Sequence, residues 1–169
     1  MTMVDDLGRQ CQEIKWPDGF APNRADLFAH NEIDINANCK RVWSFIIVAA
    51  KWPSWYPNSS DVVLADGAET LTLHAAFRWT TFGLTIDSRV HELIAGERLG
   101  WFGLGNNGEP HFAIAWLLTD RGDGCRVVLE ETGVGSTAKH FRDTDEQALN
   151  RSHEIWLAGL KRVAEGAWA

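Results

Sequence analysis

The chain has 169 residues, of which 45% are hydrophobic and 23% charged, and its formal net charge is −7. That is one domain's worth of sequence with enough apolar side chain for a core, which excludes disordered and low-complexity chains. An acidic balance without a basic stripe argues against nucleic acid and against an anionic membrane surface as partners.

Residues 1–26 read as an extension: Trp16-Pro17-Asp18-Gly19 and Pro22-Asn23 are turn chemistry, and no sustained period runs through them. The first residues lack the basic start and apolar stretch of a signal peptide, and no apolar run is as long as the ~18 residues of a spanning helix. From residue 27 a single domain is expected to the end, 27–169. In it Ile33 and Ile35 alternate with Glu32, Asp34 and Asn36, the mark of a half-buried strand. Asn38 is placed to cap a helix over Cys39 to Ala50, with Val42, Phe45, Ile46 and Ala49 on one face. Pro53 stops that helix, and WPSWYP reads as a second short helix or tight turn.

Strands follow. Val62–Ala65 is short. A long strand then carries Leu71, Leu73, Ala75, Phe77 and Trp79 on one face and Thr72, His74, Ala76, Arg78 and Thr80 on the other. Beyond Gly83, Ile86, Ser88 and Val90 alternate with Asp87, Arg89 and His91. Leu99 and Trp101 share a face of the next strand, which ends in the loop GLGNNGEP, read as a cover for a cavity mouth. Phe112, Ile114, Trp116 and Leu118 stand opposite His111, Ala113 and Ala115. In the last strand Val127, Leu129 and Glu131 point inward, with Arg126 and Glu130 toward solvent. Gly133 and Gly135 bend the chain into a helix over Asp143–Glu165, whose inner stripe is Leu149, Ser152, His153, Trp156, Leu160 and Val163. One strand, two short helices, six antiparallel strands and a long terminal helix make an α+β order. A bent sheet round such a helix leaves room for a cavity.

The chain resembles the SRPBCC superfamily (START-like, helix-grip fold), in its polyketide cyclase/dehydrase and lipid-transport-like branch. The likeness is carried by NEIDINANCKRVWSFI, by WPSWYPNSSDV, by FRWTTFGLTIDSRVHE with ERLGWFG, and by GCRVVLEETGVG with RSHEIWLAGLKRVAE. It implies a strongly curved antiparallel sheet of about seven strands around a long C-terminal helix, with two short helices between the first two strands. Relatives in this branch often carry a His two residues before the Trp of the sixth strand. Here that position is Ile114, and His111 is one step out of phase, facing the other side.

Two polar groups stand out on the expected inner surface. Glu131 and His153 both look inward, and a carboxylate with a neighbouring imidazole in an apolar cavity can share a proton as general acid and base. A structural hydrogen bond between strand and helix is the competing reading. Tyr56, the single Tyr, sits beside Trp52 and Trp55, where a phenol can donate to a ligand carbonyl or simply pin an aromatic corner. Nine Trp and eight Phe accompany it. Of these, Phe77, Trp79, Trp101, Phe112, Trp116 and Trp156 are expected to wall the cavity together with Ile114, and Ser88 to orient a ligand. His74, Arg78, Asp87, Arg89 and His91 fall on the outer face. Cys11, Cys39 and Cys125 are odd in number and scattered, with no metal-ligand spacing, so reduced thiols in a cytoplasmic protein are expected, with no metal and no cofactor.

Three functions fit this reading. One is binding of a hydrophobic, aromatic or polyketide-like small molecule with cofactor-independent cyclisation, dehydration or lyase chemistry. The second is a carrier of such a ligand without chemistry. The third is a regulatory module of the chaperone-activator kind, which would show an exposed apolar patch. A homodimer is compatible with all three.

Overall fold

The sheet grows by neighbouring hairpins, because each period-two stretch is followed by turn chemistry that returns the chain beside itself. The computed structural model describes residues 2–166, so the last three residues of the expected 27–169 domain lie outside the described ones. Seven strands form one antiparallel sheet: β1 (Leu27–Ile35), β2 (Ser60–Leu64), β3 (Ala76–Thr81), β4 (Leu84–Ile94), β5 (Arg98–Leu104), β6 (Pro110–Asp120) and β7 (Cys125–Gly133). The order is β1-β7-β6-β5-β4-β3-β2, leaving β1 and β2 as edges. Four helices accompany them: α1 (Met3–Leu7), α2 (Cys39–Ile46), α3 (Ser136–Asp145) and α4 (Ala148–Ala164). The sheet curves around α4 in the expected α+β arrangement. No helix among the described residues is long and apolar enough to cross a membrane.

The core lies between the inner face of the sheet and α2 and α4. Its hub is Trp52, whose Nε1–H donates to the Ile46 carbonyl at 2.9 Å. Its ring meets Phe77, Trp79, Trp101 and Trp156 at centroid distances of 5.2–5.9 Å. Asn38 caps α2 as expected, its side chain accepting the Arg41 N–H at 2.8 Å.

Several expectations are corrected. The helix expected over 39–50 stops at Ile46, and Ala49–Ser54 forms a 3-10 turn that accommodates Pro53. Residues 71–75 are not strand. The Leu71 N–H bonds to the Ile47 carbonyl instead of a neighbouring strand, and His74 takes a positive φ of 68°. Leu71 is therefore buried in the core while Leu73 is exposed. The terminal helix is two helices, because Gln147, with φ −100° and ψ 10°, breaks the ladder between α3 and α4.

The outer face is not a solvated sheet surface throughout. Residues 2–26 pack on it, with Ile14 against Ala115, Leu117 and Val128 and the Phe20 ring 5.6 Å from Phe102. Glu130, expected in solvent, is fully buried beneath this segment. Its Oε1 accepts from the Cys11 N–H at 2.6 Å and lies 2.7 Å from His30 Nδ1. His91 is partly covered, its ring 4.5 Å from that of Phe102. Arg78 and Asp87, on the outer face as expected, form an exposed cross-strand ion pair at 2.7 Å. The thiols also differ from expectation: Cys39 and Cys125 form a disulfide, and Cys11 is the free cysteine.

Candidate functional site

A cavity of about 500 Å³ opens between the inner face of the sheet and α3 and α4. It is an apolar chamber with a few polar groups, the usual build of a small-molecule site. Inward-pointing Trp79, Ile86, Ser88, Trp101, Phe112 and Ile114 form the sheet wall, and Leu149 and Trp156 form the helix wall. Phe82 of the β3–β4 turn, Leu84 at the start of β4, Gly105 to Asn107 of the β5–β6 loop, and Thr137 and Phe141 of α3 surround the mouth. The Phe82 and Phe141 rings meet there at 5.8 Å.

Two rings expected in the wall are elsewhere. Phe77 and Trp116 point inward but lie deeper along their strands, where the interior is filled. Phe77 packs on Trp52 and Trp101, and Trp116 packs edge-on against Trp156 at 5.0 Å. Alternation fixes the face of a side chain, whereas its position along the strand decides whether it meets a void or another ring.

Glu131 and His153 do meet. Glu131 is mid-strand in β7, paired with Ala29 on one side and Ile114 on the other, so its side chain stands on the inner face. His153 reaches it from α4, Nε2 to Oε2, at 2.9 Å. His153 is 2% exposed, while the Glu131 side chain keeps 18% and lines the cavity. The other ring nitrogen, Nδ1, lies 3.1 Å from Asn31 Oδ1. Asn31 is a residue that the pattern contained but that was not singled out: it precedes Ile33 by two and so shares its inner face.

Tyr56 lines the cavity near the helix wall. Its hydroxyl is hydrogen bonded to Ser152 Oγ, to which Asn58 Nδ2 donates at 3.4 Å. Burial pushes the phenol up to about 12, a rise that the Ser152 hydrogen bond only partly opposes. Tyr56 therefore acts as a hydrogen-bonding group and not as a phenolate base at neutral pH. On the opposite wall Trp79 Nε1–H donates to Ser88 Oγ at 3.2 Å, which leaves the Ser88 hydroxyl proton for an acceptor in the cavity.

His111, expected on the far side, lines the mouth. The pairing of β5 with β6 shifts register between Gly103 and Leu104, so simple alternation fails at this end of the sheet. The ring lies against Gly105, where a Cβ would come within 2.5 Å of it, and 3.5 Å from a Cβ position at Gly135. The missing side chain at Gly105 thus makes its place, while Gly135 would leave ordinary contact. No cluster of three or more metal-ligating side chains occurs among the described residues.

A curved sheet gripping a helix over an apolar chamber defines a small-molecule cavity protein of the helix-grip class. Residues 29–165 match the model of the family described as polyketide cyclase / dehydrase and lipid transport, and the chain belongs to that family. None of the curated proteins matches it. Among solved structures it is similar to the hypothetical protein jhp0584 from Helicobacter pylori. The two are 24% identical with a TM-score of 0.82, over 92% of this chain and 98% of that one. It is also similar to the di-domain ARO/CYC StfQ from the steffimycin biosynthetic pathway. That likeness has 17% identity and a TM-score of 0.67, over 84% of this chain and 52% of that one. A third similar structure is the Aha1 dimer from Colwellia psychrerythraea, 17% identical with a TM-score of 0.63, over 85% of this chain and 99% of that one. At these identities the likenesses establish the fold and not the activity.

Proposed function

We propose that the protein binds a hydrophobic, aromatic or polyketide-like small molecule in this cavity and performs acid/base chemistry on it without a cofactor, as a cyclisation, dehydration or lyase step. The observation that carries the reading is the Glu131–His153 pair, a carboxylate and an imidazole in hydrogen-bond contact at the wall of an apolar chamber. Trp79, Trp101 and Trp156 supply flat surfaces for a planar substrate, and the Ser88 hydroxyl supplies a donor to orient it. Exclusion of water by these rings raises the worth of each hydrogen bond made inside.

A non-catalytic carrier is the second reading. It is favoured by the way Tyr56 and Ser152 satisfy each other, which removes a donor that an enzyme would aim at its substrate. One experiment separates the two. Small molecules that co-purify with the native protein are identified by mass spectrometry, and the same compounds and their unsaturated or hydrated congeners are incubated with it. Conversion of a bound compound supports the enzyme. Tight binding with no conversion supports the carrier, and no binding of any planar apolar compound overturns both.

A further inference from the structure

The Glu131–His153 pair is tied to the N-terminal segment by a chain of hydrogen bonds that passes round the free edge of the sheet. Asp6 of α1 is 1% exposed and sits at the open side of β1, where its Oδ2 takes the His30 backbone N–H at 3.3 Å. The same oxygen accepts from Asn150 Nδ2 of α4 at 2.8 Å. Asn150 Nδ2 also lies 3.3 Å from Asn31 Oδ1 and 3.5 Å from the His30 carbonyl. Asn31 Oδ1 faces His153 Nδ1 at 3.1 Å, and His153 Nε2 faces Glu131 at 2.9 Å.

Read from its outer end, the chain has one polarity. Asp6 Oδ2 already accepts the His30 N–H and is an acceptor here, so Asn150 turns its NH2 and not its oxygen toward Asp6. The second proton of that NH2 then points at the Asn31 amide, which must answer with its oxygen. That oxygen in turn accepts only, so His153 Nδ1 must carry a proton. A single further proton is then left to be shared between Nε2 and the Glu131 carboxylate. The tautomer of a histidine is set by the bond its other nitrogen makes. Here that bond is set two residues further out, from a segment on the far side of the strand edge.

We propose that Asp6 and Asn150 are positioning residues that fix the Nδ1–H form of His153 and thereby present Nε2 and Glu131 as a one-proton acid/base couple. The proposal rests on the reading of that couple as the working groups of the cavity, but its test does not require turnover. The imidazole of uniformly labelled protein is observed by one-bond 1H–15N correlation NMR at neutral pH. In the native protein a persistent Nδ1–H signal of His153 is expected. Asp6→Asn lets the terminal amide present either end, and Asn150→Ala breaks the chain within α4 while leaving the docking residues of the N-terminal segment in place. Asn31 Nδ2 also donates to the Asn150 carbonyl at 3.4 Å, a long bond that neither variant removes, so each variant is expected to weaken the signal severalfold as the hold on the Asn31 amide loosens. Absence of the Nδ1–H signal in the native protein, or its full retention in either variant, overturns the proposal. A signal retained in the variants while the native protein converts a ligand fails this inference alone, and a signal lost in the variants while the native protein converts none fails the functional reading alone.

Discussion

Tyr56 lies flat on Trp156, with ring centroids 4.3 Å apart and planes 5° from parallel, and its hydroxyl ends on Ser152 of the same helix. The stack ties Tyr56, two residues beyond the 3-10 turn, to the middle of α4. It also buries the phenol where its ionised form has little solvation. Because this is the single tyrosine, its ionisation can be read directly from tyrosinate absorbance. The folded protein should hold the phenolic proton to about pH 12, against about 10 for the unfolded chain. A folded value above the unfolded one means the stabilisation is complete below the unfolded value and is lost as pH rises through the folded one. Stability should therefore fall between pH 10 and 12 by on the order of 2 kcal/mol more than in Tyr56→Phe. Tyrosinate absorbance appearing near pH 10 in the folded protein would contradict the burial of this group.

Glu131→Gln keeps the shape of the side chain and a hydrogen bond to His153, but it removes the group with which the imidazole shares a proton. If the pair performs the chemistry, turnover of a converted ligand should drop by about 100-fold or more, the usual worth of general acid/base catalysis. Affinity for the same ligand should stay within a few-fold, because the aromatic wall is untouched. Steady-state kinetics beside calorimetric binding would separate the two quantities. Equal turnover in both proteins would reduce the pair to a structural tie between β7 and α4.

The faces of both members of that pair were legible in the sequence. Alternation along Val127, Leu129 and Glu131 put the carboxylate inward, and the stripe through Leu149, Ser152, His153 and Trp156 did the same for the imidazole. Their contact was not legible, since it depends on which level of α4 stands over which residue of β7. Glu130 was misread for a different reason. Alternation correctly set it on the outer face, but residues 2–26 have no periodicity to announce that they cover that face. Phe77 and Trp116 show the same limit inside, where the face was right and the depth unknown.

The disulfide was beyond sequence reasoning because its halves are 86 residues apart. The sheet brings them together: Ile35 at the end of β1 pairs with Cys125 at the start of β7, and α2 begins at Cys39 just after the connecting turn. Closing so long a loop restricts the unfolded chain, so reduction or a Cys39→Ser, Cys125→Ser double variant should cost about 3–4 kcal/mol. Denatured protein under non-reducing conditions should show one reactive thiol, that of Cys11, rather than three. Three reactive thiols, or a melting temperature indifferent to reductant, would remove this bond from the account of stability.

Gly159 in α4 provides the sharpest steric test. In an exposed helix, replacing Gly by Ala stabilises by up to about 1 kcal/mol, because Ala is the better helix former. Here a Cβ would stand 2.1 Å from the Trp55 carbonyl oxygen and 3.5 Å from the Trp55 ring. The obstacle is backbone, which cannot swing aside as a flexible side chain can. The clash should outweigh the propensity gain, for a net loss of about 2–3 kcal/mol, the ordinary range for overpacking. That corresponds to a fall in melting temperature of roughly 5–10 °C for a domain of this size. Trp55 also precedes Tyr56 directly, so the displaced carbonyl should carry the phenol outward and relieve the burial that holds its proton. Gly159→Ala should then show tyrosinate absorbance at a lower pH than the native protein, which a purely global loss of stability would not produce below the unfolding transition. An unchanged melting temperature together with an unchanged tyrosine titration would show that the turn at Trp55 yields freely and does not hold this wall of the cavity.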